Sequence, residues 1–133
     1  MQQVALYGET MMLILHIWAS FLGLALGALV LLGRKGTRLH QLLGGMWVSL
    51  MAASALSSFW LGGGVLPLVG HFGPIHLLSL WMLVSLTLAL IAISKGQIRG
   101  HQRWMQGAYF GLVGAFIGTL MPGRWVSTQL GIW

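Results

Sequence analysis

The chain has 133 residues, 57% of them hydrophobic and 6% charged, with a net charge of +6 and no cysteine. A soluble domain carries roughly a quarter charged residues, so this composition is that of an integral membrane protein. The missing cysteines exclude disulfides, iron–sulfur clusters and thiolate zinc sites. Glu9 is the single acid, which takes most of the weight from carboxylate-dependent hydrolases, metal nucleases and proton-coupled transporters.

Four segments reach the ~20 apolar residues that a bilayer requires, at about 10–32, 41–61, 74–94 and 104–121. The first lacks a basic leading region and runs into Arg34–Lys35, so it reads as a span and not as a cleaved signal. A basic turn with Arg34, Lys35 and Arg38 leads to the second. After it the run Gly62-Gly63-Gly64 reads as an exposed turn, and Pro74 suits the first turn of the third span, where a missing N–H is no loss. A second basic turn, with Lys95, Arg99 and Arg103, precedes the fourth. Short connections predict antiparallel neighbours. The positive-inside rule places both basic turns in the cytoplasm and both termini outside. Two short basic turns between apolar spans are a topology signal and not a nucleic-acid surface. The expected fold is all-α: an integral membrane four-helix bundle forming one transmembrane domain over residues 1–133.

Trp60, Trp104, Trp125 and Trp133 fall near span ends, where tryptophan anchors at the interface. Trp18, Trp47 and Trp81 lie deeper and serve packing or a ring-shaped ligand. Small residues recur at helix-packing spacing: Ala19, Gly23 and Gly27, then Gly107, Gly111, Gly114 and Gly118, with the run 52–58 nearly all small. Close helix contact is the favoured reading, and room for a flat cofactor is the sharper one.

The chain says one thing twice, in halves of about 10–62 and 70–122. His16 and His76 each open a span that runs into a basic turn, LLGRKGTRLHQLLGGMW in the first half and AISKGQIRGHQRWMQGAY in the second. Lys35-Gly36 matches Lys95-Gly96, Arg38 roughly matches Arg99, and His40 matches His101. Gly45 with Trp47 answers Gly107 with Tyr109. A two-span repeat keeps its orientation, so the halves are expected to be related by an axis along the membrane normal.

The histidines then form two pairs, His16 with His76 towards the outside and His40 with His101 towards the cytoplasm. An intramembrane ionisable residue is a functional hypothesis by default. Paired neutral imidazoles on facing helices can ligate haem iron, and bundle cores host such cofactors. Arg38, Arg99 and Arg103 would hold haem propionates at the cytoplasmic site, and Arg124 would do so outside. His76 lies only two residues past Pro74, whereas His16 lies about a turn inside its span, so His71 is the substitute partner for His16. Copper held by the histidines with nearby methionine thioethers is the weaker metal reading. Quinone binding, with histidine as hydrogen-bond partner, is another. The bland reading is histidines that bond across helices or meet water and lipid phosphates.

The stretches KGTRLHQLLGGMW, SALSSFW, GPIHLLSLW, KGQIRGHQRWMQGAYFG and GAFIGTLMPGR, in that order, resemble the bacterial membrane family catalogued as domain of unknown function 2306. The resemblance runs from about His16 to Arg124. Its characteristic residues fall on His16, His40, Gly45, Trp47, Ser58, Pro74, His76, His101, Gly107, Tyr109, Pro122 and Arg124. Gln41 and Gln102 stand where the family often has arginine. The resemblance implies a small multi-helix bacterial membrane protein and carries no activity with it.

From the residues, the expected function is a small b-type cytochrome of the bacterial inner membrane that binds one or two haems and transfers electrons. Its layout is analogous to the two-haem four-helix membrane cytochromes. A quinone or other redox carrier, further membrane subunits or a second copy would be its partners. The alternative is a non-catalytic structural or assembly subunit of a membrane complex, without a cofactor.

Overall fold

A computed structural model describes residues 2–59 and 74–120 together with Gly131. These residues form four helices: α1 (Gln2–Leu32), α2 (Arg38–Ser58), α3 (Pro74–Ser94) and α4 (Ile98–Thr119). Three of them, α1, α2 and the His76–Ser94 part of α3, are long and apolar enough to cross a membrane. In α4 the arginines and glycines lower the hydropathy, although the helix is 22 residues long.

The helix ends follow local chemistry. The 31-residue α1 is about 46 Å long at ~1.5 Å per residue, well beyond the ~30 Å hydrocarbon core. It begins eight residues before the expected span, because Gln2–Met11 holds no proline and only Gly8 as a weak former. Lys35 folds back and its Nζ donates to the carbonyls of Val30, Leu31 and Gly33, which α1 leaves unpaired at its end. Thr37 then caps α2, its Oγ1 accepting from the His40 N–H at 3.0 Å. At the end of α3 the Gly96 N–H reaches Ile93 O and the Gln97 N–H reaches Ala92 O, with Gly96 at φ +72°. That is a Schellman turn, which needs a residue at positive φ and therefore glycine. Gly36, the residue matched with Gly96 in the sequence, also has positive φ (+78°).

The helices form a ring. Contacts join α1 to α2, α2 to α3 and α3 to α4, while α1 meets α4 least; α1 and α3 are diagonal, as are α2 and α4. The core is built mainly from α2, α3 and α4: Trp47, Met51 and Ala55; Met82 and Leu86; Ala108 and Leu112. Large apolar side chains such as Leu29, Leu42, Phe110 and Ile117 are exposed on the outside. On a soluble monomer such a surface would be an anomaly, but against acyl chains it costs nothing.

The small residues of α1 serve contact. A Cβ at Gly27 would sit 2.5 Å from the Tyr109 ring and 2.6 Å from Trp47 Nε1, and one at Gly23 would meet the end of Met51. Trp81 lies against Gly107 and Gly111 of α4 in the same way. Close helix contact is thus the use of these four glycines. Gly44, Gly114 and Gly118 face open space.

Gly27→Ala should therefore destabilise the bundle by about 1–3 kcal/mol, the ordinary cost of overpacking. Gly44→Ala should leave stability unchanged or raise it by up to ~1 kcal/mol, the gain in helix propensity. Thermal unfolding of both variants in detergent checks this, and equal effects would contradict the contact at Gly27.

Candidate functional site

Polar side chains gather at the two ends of the ring. At the end away from the basic turns, His16 of α1 is half-buried against α2. Its Nδ1 lies 2.8 Å from Ser54 O, 3.3 Å from Ser54 Oγ and 3.4 Å from Ser57 Oγ. A carbonyl only accepts, so Nδ1 carries the proton and Nε2 is the basic nitrogen. Ser20 donates to His16 O at 2.7 Å and shares a 2.7 Å bond with Ser54 Oγ, and Ser57 donates to Ser54 O at 2.9 Å. Since Ser20 spends its hydrogen on His16 O, Ser54 is the donor to Ser20. Every hydroxyl proton of this cluster is committed inside it.

His76 of α3 is 4% exposed, with its ring 5.8 Å from that of Phe59. One turn below it, Ser79 shares a hydrogen bond with Ser58 of α2, which itself donates to Ala55 O at 2.6 Å. His16 is level with Ser54 and Ser57, whereas His76 is a turn beyond the Ser58 level. The two rings are thus offset by about one helical turn, ~5 Å along the bundle. His71, the substitute partner, and Arg124 lie outside the described residues.

Between the four helices at this end lies a cavity of about 110 Å³. His16, Ser20 and Ser54 form one wall; Phe21, Met51, Met82, Leu112 and Phe116 are among the apolar residues of the rest, to which Ser79 of α3 adds a further hydroxyl. Small-molecule sites run to roughly 300–1,000 Å³, so a macrocycle would have to displace Met51 and Met82.

At the basic end the pair is His40 and His101, on diagonal helices. His101 Nδ1 donates to Ala89 O of α3 at 3.0 Å, which again leaves Nε2 as the basic nitrogen. His40 lies within electrostatic reach of both His101 and Lys35, and its Nδ1 is buried with no hydrogen-bond partner. Arg38 and Arg99 stand in the first turns of α2 and α4, and Arg103 one turn further along α4. Neither first turn contains an acid, so these cations meet no carboxylate there.

The sequence reading found all four paired histidines but not the serines that hold His16. The signal was present: Ser54, Ser57 and Ser58 repeat at helical spacing within the small run of α2, which invites a reading as packing alone. Among the described residues no three histidine or acidic side chains gather to hold a metal ion by themselves.

Composition and fold together define an all-helical membrane protein. The sequence profile of a family described as a predicted membrane protein, DUF2306, matches residues 13–130, and the chain belongs to that family. No curated protein and no solved structure matches the chain.

At a pH where the rings are neutral, ring-nitrogen NMR of histidine-labelled protein should find the proton of His16 and of His101 on Nδ1, the less common tautomer in water. Ser54→Gly leaves the carbonyl in place and should keep His16 in that form. A proton on Nε2 of either ring in the wild type would overturn the assignment.

Proposed function

We propose that the chain is a small b-type cytochrome that would hold one haem at its basic end through His40 and His101. The observation that carries this reading is the His40 ring. A buried ring nitrogen without a partner costs about 1–3 kcal/mol, and a metal bond removes that cost. Across the bundle, His101 is held through Nδ1 by a backbone carbonyl, which is how ligating imidazoles are oriented and made more basic. Around the pair stand cations without acids, which suits a macrocycle bearing two carboxylates.

Bound haem supplies reversible one-electron exchange at iron. The chain's own part is positional. α2 and α4 set the two imidazoles on diagonal corners, and the Ala89 carbonyl fixes one ring. Arg38, Arg99 and Arg103 compensate the propionate charge and so raise affinity, while the Trp47 layer keeps water from the apolar side. Electrons would pass to or from a quinol or another carrier, within a larger membrane complex. The setting is the bacterial inner membrane, with the basic turns in the cytoplasm and both termini outside.

One observation favours a second reading, a structural subunit without cofactor. Through Nδ1, His16 serves as a cross-link between α1 and α2 with Ser54, Ser57 and Ser20, a role that needs no ligand.

An absorption spectrum of the purified protein, before and after dithionite, with haem quantified per chain, separates the two. A six-coordinate haem b spectrum is expected, and His40→Ala and His101→Ala should each lose most of it while His16→Ala and His76→Ala keep it. A protein that stays colourless after haem supplementation leaves the structural reading. Haem lost with His16 instead of His40 would move the site to the other end.

A further inference from the structure

The cavity at the end away from the basic turns is unrelated to the His40–His101 pair and has its own chemistry. At about 110 Å³ it is smaller than the roughly 150 Å³ apolar cavity known to take benzene, so a ring fits only as the flexible Met51 and Met82 side chains give way. The walls are largely apolar, with Met51, Met82 and Leu112 opposite the polar wall of α1 and α2. Water would be poorly served there. Each buried water needs about two to four polar partners, and the hydroxyl protons around His16 are already spent on one another.

What the polar wall offers is acceptance. His16 Nδ1–H is committed to Ser54 O, so Nε2 is the ring nitrogen available to a ligand, and a lone pair is all it presents. The matching ligand is apolar, one ring wide, and carries an O–H donor. The way in is from the side. α1 meets α4 least among neighbouring helices. Phe21 and Phe116 span that gap edge to face, with centroids 5.6 Å apart. Phe21 is exposed on the outer surface, so the gap opens towards acyl chains and not towards water.

We propose that this cavity binds the ring of a lipid-soluble hydroquinone, entering between α1 and α4, with His16 Nε2 accepting a ring hydroxyl proton in a hydrogen bond. The proposal goes beyond the haem reading and does not depend on it, because binding is read without a redox step.

The test uses decyl-ubiquinol and decyl-ubiquinone as probes with the purified protein in phosphatidylcholine nanodiscs. Bound probe is measured as the excess over empty nanodiscs. The reduced probe should bind saturably and roughly three- to tenfold more tightly than the oxidised one, the worth of one neutral hydrogen bond. The oxidised ring has only acceptors to offer His16. Ala115→Phe fills the cavity without touching the polar wall and should weaken both forms by about tenfold or more. His16→Phe keeps the ring volume and should abolish the preference for the reduced form. Circular dichroism and a monodisperse elution profile establish that each variant is folded. Linear partitioning equal to that of empty nanodiscs overturns the proposal. So does saturable binding that neither substitution changes, since that locates the ligand elsewhere. Tighter binding of the oxidised probe overturns the assignment of His16 as acceptor. The His40→Ala protein, free of haem, should bind ubiquinol unchanged, so failure of the haem reading leaves this one standing.

Discussion

One interaction recurs at three of the four helix contacts: a ring N–H or O–H on one helix donates to a backbone carbonyl of a neighbour. Trp47 Nε1 reaches Gly23 O at 2.9 Å, Trp81 Nε1 reaches Gly107 O at 3.1 Å, and Tyr109 Oη reaches Leu24 O at 3.1 Å. His16 and His101 do the same through Nδ1. A helical carbonyl has a second lone pair left after its own helix bond, and in a bilayer no water competes for it. These bonds satisfy amphipathic side chains that would otherwise be costly inside lipid. They also set the distance and rotation of adjacent helices, because the acceptor is backbone and cannot swing away.

Glycine makes that contact possible. The carbonyls that take the tryptophan protons belong to Gly23 and Gly107; the Trp47 indole lies where a Cβ of Gly27 would stand, and the Trp81 indole lies against Gly107 and Gly111. Each hairpin has one such indole–glycine clasp, α2 onto α1 and α3 onto α4. The two hairpins then join along α2 and α3 through Met51, Ala55, Met82 and Leu86 and through the Ser58–Ser79 bond. The α1–α4 side is held by the Tyr109 bond, the Tyr109 ring against Gly27 and the Phe21–Phe116 pair, and it is the loosest seam of the ring.

The two ends of the bundle differ in which polar capacity they leave over. At the basic end positive charge and a bare ring nitrogen remain, which is the complement of an anion. At the other end the hydroxyls and His16 satisfy one another, and only a lone pair remains beside the cavity. The chemical asymmetry arises although the two halves of the sequence repeat the same residue types. A histidine in α1 meets the serines of α2, whereas its counterpart His76 in α3 stands a turn further out, against Phe59.

Composition by itself determined the class of protein, and the apolar lengths determined where helices form, because a chain in hydrocarbon has no other way to pair its backbone. Capping was legible too: Thr37 before α2 and the Lys-Gly turns after α1 and α3 act through neighbours a few residues away, so local sequence suffices. The histidine positions were visible, but their states were not. Whether His16 is a bare ligand or a bonded cross-link depends on Ser54 and Ser57, some forty residues away and on another helix. Whether Gly27 leaves a space or receives Trp47 and Tyr109 depends on helix rotation. Periodicity says which residues share a face. Only the tertiary structure decides which faces meet and at what height, because that is set by bonds and contacts between segments distant in the chain.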